Sequence, residues 1–123
     1  MSVAFGTTKP LPGKPVDVTA HIERVGFQGY GMMIAEIGLP PGADVDRASL
    51  ESAVTSSDYQ LNQYEVLPNK VLIYLWPRAG GLTLHFKFNL RYAVNALTAP
   101  SSVYDYYNPD ARFDLKPARF KTF

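Results

Sequence analysis

The sequence predicts an all-β protein, an antiparallel β-sandwich with one short helix crossing one face. Three observations predict it. Val16, Val18, Ala20 and Ile22 alternate with Asp17, Thr19, His21 and Glu23. Further on, Leu82, Leu84, Phe86, Phe88, Leu90, Tyr92 and Val94 alternate with Thr83, His85, Lys87, Asn89 and Arg91. Successive side chains leave a strand on opposite faces, so this two-residue period describes strands with one face buried. Pro and Gly turn signals then cut the chain at the spacing of roughly eight to twelve residues that short antiparallel strands require.

The elements follow in order. Residues 1–15 hold Pro10, Pro12, Gly13 and Pro15, which continue neither a helix nor a central strand, and are expected to be a leader or linker. The domain is expected over residues 16–111. Its first strand starts at Val16 and frays at Val25, and a turn rich in glycine, residues 26–31, leads into Met32–Leu39, where Met33, Ala35, Ile37 and Leu39 share one face. Pro40-Pro41-Gly42 stops that strand. Asp46 can cap a helix over Arg47–Val54, with Val45 and Leu50 as a hydrophobic staple. Leu50 and Val54, four apart, then face the core, and Arg47 and Glu51 stand together on the exposed side. Gln63–Leu67 and Lys70–Trp76 flank the turn Pro68-Asn69. The run from Val71 to Trp76 is apolar on both faces, as in a central strand covered by layers on each side. Residues 77–81 end it, the long alternating strand follows, and a last strand over Ser102–Tyr107 is bounded by Pro100 and Asn108-Pro109. Residues 112–123 are expected to be a tail, because Asp114 and Pro117 break any amphipathic helix that Phe113, Phe120 and Phe123 would make with Arg112, Lys116, Arg119 and Lys121.

Composition narrows the function. The 123 residues are one domain's worth of chain, and 12 Lys+Arg against 11 Asp+Glu give a formal charge of +1, without the basic excess of a nucleic-acid binder. No stretch approaches the roughly 18 apolar residues of a membrane span. The absence of Cys excludes a disulfide framework, a thiol nucleophile, a thiolate metal site and a thioester within this chain. His21 and His85 fall on the polar phase of their strands, Asp44 and Asp46 lack the spacing of a calcium loop, and the glycines at 26, 29 and 31 read as turn glycines. With no convergent acid, base and nucleophile, no enzyme, cofactor or metal site is expected. Two features carry two readings each. The row His85, Lys87 and Arg91 is either a guard against edge-to-edge aggregation or a partner site that needs an acidic counterpart. The block Val103-Tyr104-Asp105-Tyr106-Tyr107 is either an edge strand, with Tyr104 and Tyr106 on one face, or part of a platform for a sugar or aromatic ligand.

Four blocks carry a family resemblance. Gly31-Met32-Met33-Ile34-Ala35-Glu36-Ile37-Gly38-Leu39-Pro40-Pro41-Gly42, Tyr64-Glu65-Val66, Asn69-Lys70-Val71-Leu72-Ile73-Tyr74-Leu75 and Val103-Tyr104-Asp105-Tyr106-Tyr107-Asn108-Pro109-Asp110 resemble, in order and spacing, the C-terminal receptor-binding domain of the alpha-2-macroglobulin family. The resemblance spans about Val16 to Ala111 and implies a β-sandwich crossed by a short helix. It also implies a non-catalytic module at the end of a large secreted protease trap, whose thioester belongs to a separate upstream domain, exposed once the parent is cleaved. Vertebrate members are recognised by clearance receptors through two lysines one turn apart on the helix. The matching turn here holds Arg47 and Glu51, and a carboxylate there opposes docking onto acidic receptor modules. That replacement, with the missing cysteines, points to a bacterial or otherwise divergent member.

The chain is therefore expected to be an extracellular or periplasmic protein-interaction module, packed against neighbouring domains of a larger parent and open to a receptor or protease complex. Its partner-binding candidates are Arg47, Glu51, His85, Lys87 and Arg91. The alternative is a free-standing β-sandwich that binds carbohydrate or peptide through Tyr30, Trp76 or tyrosines 104–107.

Overall fold

The computed structural model describes residues 1–9, 13–23, 32–57, 59–76, 81–106, 110 and 112–121. Along the chain run β1 (Ser2–Phe5), β2 (Pro15–Ile22), β3 (Met33–Gly38), β4 (Ala43–Val45), α1 (Arg47–Ser56), β5 (Leu61–Leu67) and β6 (Lys70–Leu75). There follow β7 (Leu82–Leu90), β8 (Asn95–Leu97), β9 (Ser101–Asp105), β10 (Arg112–Leu115) and β11 (Arg119–Lys121). A small sheet has the order β1-β2-β7-β4, a large one β10-β9-β3-β6-β5, and β8 pairs with β11; every pairing is antiparallel. The fold is an antiparallel all-β sandwich with one short helix.

The two alternating runs pair with each other. Pro15 to Ile22 of β2 lie opposite Asn89 to Leu82 of β7, so Val16, Val18, Ala20 and Ile22 share a buried face with Leu82, Leu84, Phe86, Phe88 and Leu90. Met33, Ala35 and Ile37 of β3 and Val71, Ile73 and Leu75 of β6 supply the facing layer of the core. Strand β3 is hydrogen-bonded on both sides, to β6 and to β9. Gly38 ends it where a Cβ would stand 1.7 Å from the Ala99 carbonyl oxygen, an approach only glycine allows.

Helix α1 starts as its sequence dictates. The Asp46 carboxylate accepts the Ala48 N–H at 3.0 Å, and Leu50 enters the core. Ala53 is buried beside it, whereas Val54 is only half-buried against the core. The helix packs on β7 of the small sheet and on β5 of the large one. It is anchored to β7 by Asp46 N–H to Lys87 O at 2.9 Å and Lys87 N–H to Ser49 Oγ at 3.1 Å.

Several expectations change. The segment read as a leader contains β1, which covers the edge of β2, and the segment read as a tail contains β10 and β11. The reason is aromatic packing. Phe5, Phe88 and Phe120 meet edge to face, with centroids 5.0 Å apart for Phe5–Phe120 and 5.9 Å for Phe88–Phe120, and Phe120 is fully buried. Lys121 N–H donates to Thr8 O at 3.0 Å, tying the two end segments together. Strand β6 is interior, next to the central β3, but among the described residues no second layer covers its other face, where Leu72 and Tyr74 are half-buried. Alternation in the long run ends at Leu90, and Tyr92 lies exposed with its ring over Gly42, which has φ +79°. Val25, the turn over residues 26–31, and residues 77–80 lie outside the described residues.

Phe120→Ala removes a ring from this three-way cluster and leaves a cavity between the end segments and β7. Urea unfolding is expected to show a loss of about 3–5 kcal/mol. A change within the range of an exposed site would mean that residues 119–121 are not part of the core.

Candidate functional site

The sequence candidates do not converge on one site. Arg47 and Glu51 are both exposed on α1, and the Glu51 carboxylate accepts the Tyr64 hydroxyl of β5. That bond, with the nearby negative charge, raises the Tyr64 pKa above the ordinary phenol value. His85 and Lys87 line an open groove of about 430 Å³ between α1 and the polar face of the small sheet, with Asp17, Asp46, Ser49 and Ser52. His85 Nδ1 is hydrogen-bonded to Thr19 Oγ1 at 3.0 Å, and Lys87 Nζ stands 3.9 Å from Asp46. Arg91 lies beyond the end of β7 and pairs with Asp44 at 3.3 Å. Each of these three side chains thus has a local polar partner, and the groove is lined by both acidic and basic residues.

The outer face of the large sheet assembles more. Register places Tyr74 of β6, Ile34 of β3, Tyr104 of β9 and Arg112 of β10 in one cross-strand row. The next row is Leu72, Glu36, Ser102 and Asp114. At the other end, Tyr106 N–H donates to Met32 O at 2.9 Å, and the pair Met33 with Leu75 sets Met32 opposite Trp76. Trp76, Met32 and Tyr106 form the third row by the same alternation. Trp76 is 45% exposed and Tyr106 47%, so aromatic surface at the ends of β6 and β9 is open to solvent.

A polar network braces this face. Glu36, its side chain 18% exposed, receives Lys70 Nζ at 2.7 Å and the Tyr104 hydroxyl. Burial alone would raise the Glu36 pKa, but the hydrogen bonds from Lys70 and Tyr104 and the charges of Lys70 and Arg112 outweigh it and hold the carboxyl below its ordinary value. Burial and the bond to Glu36 push Tyr104 up to about 12. The Arg112 guanidinium lies 5.6 Å from the Tyr104 ring centroid and pairs with Asp114 at 2.9 Å. The ions of this network are paired with one another, and register adds the exposed Gln63 and Glu65 of β5 opposite Tyr74 and Leu72, so the face is aromatic at its centre and polar along its β5 margin.

Sequence reasoning located Trp76, Tyr104 and Tyr106 but not Met32, Ile34, Glu36 or Lys70. Alternation within each strand was a readable signal for faces; the partnership of β3, β6 and β9 was not. Tyr30 and Tyr107 lie outside the described residues.

The family model for the A-macroglobulin receptor binding domain matches residues 28–114, and those residues include all the strands that build the aromatic face. The chain belongs to this family. Complement C3 of Eptatretus burgeri is 30% identical to this macroglobulin receptor-binding domain over 88 residues, which are 69% of this chain and 5% of that protein. Receptor-binding domains of the family are non-catalytic modules.

The Glu36–Tyr104 bond has a measurable signature. Ultraviolet phenolate titration is expected to show one tyrosine ionising near 12, and Glu36→Gln should move it back toward 10. Because the folded-state value is the higher one, this stabilisation is complete below the unfolded value of about 10 and is lost as pH rises through about 12. Tyr104→Phe should flatten that alkaline loss; an unchanged profile would remove Tyr104 as its source.

Proposed function

We propose that the chain is the non-catalytic C-terminal interaction module of an exported, macroglobulin-like protease-trapping protein, bacterial or otherwise divergent from the vertebrate members. In the intact parent, the outer face of the large sheet docks a neighbouring domain; after protease cleavage the module is exposed for partner recognition. The observation that carries this reading is the pair of exposed rings Trp76 and Tyr106, with the half-buried Met32 between them and Tyr74 and Tyr104 alongside. Family membership and the short share of complement C3 that the chain covers support a much longer parent. An aromatic face whose central ions are internally paired suits a lasting contact with a protein surface that is apolar at its centre and polar opposite the β5 margin.

The decisive experiment is the size of the native product, read by blotting envelope and secreted fractions with antibody against this domain. A very large band whose mobility changes when protease is added is expected. A band near 13.6 kDa would overturn the reading and favour the free-standing carbohydrate- or peptide-binding module. In the parent, Trp76→Asp buries a charge in the docking contact and is expected to shift the uncleaved protein to the mobility of the cleaved form; native mobility would rule out this face.

At the helix, Glu51 opposes an acidic partner and is occupied by Tyr64. The native chain is expected not to bind acidic receptor modules, and Glu51→Lys, which restores a cation pair with Arg47, is expected to gain salt-sensitive binding. Equal silence from both proteins would mean the surface differs from the receptor-competent one by more than a single charge.

A further inference from the structure

The docking face carries a thioether at its middle. The chain has three methionines, of which Met32 and Met33 are neighbours in sequence and opposites in space. Met33 is 8% exposed and belongs to the core, while Met32 is half-buried on the outer face, in the row between Trp76 and Tyr106. Strand alternation alone produces this split. Met1, the third, is partly buried at the chain start and away from this row.

We propose that Met32 is an oxidative modification site, and that its sulfoxide switches off the aromatic face. The oxidant is a peroxide. Its O–O bond breaks, one oxygen adds to the Met32 sulfur, which is oxidised by two electrons, and the other leaves as water when the peroxide is hydrogen peroxide. The product exchanges a flexible apolar side chain for a polar one with a strong acceptor oxygen. An apolar partner surface docking over the row Trp76–Met32–Tyr106 would cover that oxygen and offer it no donor of its own. Met33 is shielded by the core and is spared. The consequence for docking rests on the function proposed above; the selective oxidation does not.

The test begins with the purified chain, treated with hydrogen peroxide and followed by peptide mass mapping. Met32 is expected to gain one oxygen at least about tenfold faster than Met33, since susceptibility follows exposure; equal rates, or Met33 first, would overturn the proposal. Retention on a phenyl matrix is expected to fall after treatment of the native chain and to stay unchanged in treated Met32→Leu. A fall of equal size in Met32→Leu would show that another residue is responsible. Untreated Met32→Gln should match the oxidised native chain, and circular dichroism of all the proteins guards against a folding defect. The parent then separates the two claims. If Trp76→Asp leaves its domain contact intact, the docking reading fails while the oxidation result stands. If Trp76→Asp breaks the contact and peroxide-treated native parent keeps it, the switch is refuted.

Discussion

Strand β3 is the constraint on which the large sheet depends. It is hydrogen-bonded along both edges, six residue pairs with β6 and four with β9, so its register sets the height of every side chain on its neighbours. A slip of one residue would turn Met33, Ala35 and Ile37 out of the core and bring Met32, Ile34 and Glu36 into it. The core resists that exchange, because Glu36 would lose Lys70 and Tyr104 as partners and enter an apolar layer. Gly38 closes the same argument at the strand's end, where the Ala99 carbonyl leaves no room for a side chain. Core packing and surface chemistry are thus two readouts of one register.

The Glu36–Lys70 pair is better understood as a device for specificity than for stability. Half-buried ion pairs recover little net free energy after desolvation, but removing one partner strands the other. Here the carboxylate also accepts the Tyr104 hydroxyl, and the ring of Tyr104 carries Arg112, which Asp114 holds from the same strand. The chain of contacts crosses four strands and leaves no described charge of that network without a partner. A face arranged in this way keeps Tyr104 in place through its own paired ions.

Much of this fold could be read directly from the residues. The alternation in β2 and β7 identified the two strands and their buried faces, but not that the two pair with each other. Asp46 and Leu50 were sufficient to place α1, because a cap and an apolar stripe are local properties. The short strands β1, β8, β10 and β11 were not legible: three or four residues hold no period, and each is a strand only because a distant partner offers an edge. Phe5 and Phe120 looked like parts of unstructured ends until the packing against Phe88 brought them together. The aromatic face was half legible. Alternation assigns Tyr74 with Trp76, and Tyr104 with Tyr106, to common faces, but the fact that β3 lies between them is a property of topology. For the candidates His85, Lys87 and Arg91 a related limit holds, since the sequence does not reveal the Thr19, Asp46 or Asp44 that stands beside each.

In the proposed reading, the helix and the sheet face divide recognition along physical lines. On α1, Arg47 and Glu51 are exposed, so any contact there is made in water, screened by salt and easily altered by one substitution. Receptor recognition through such a surface can be lost or regained as single charges change. On the large sheet, by contrast, the rows Trp76–Met32–Tyr106 and Tyr74–Ile34–Tyr104 are built by three strands whose opposite faces are the core. A substitution that moved one row would also disturb the packing of Met33, Leu75 or Val103 behind it. A family module can therefore change its receptor chemistry at the helix while its sheet face stays under the same constraint that keeps it folded.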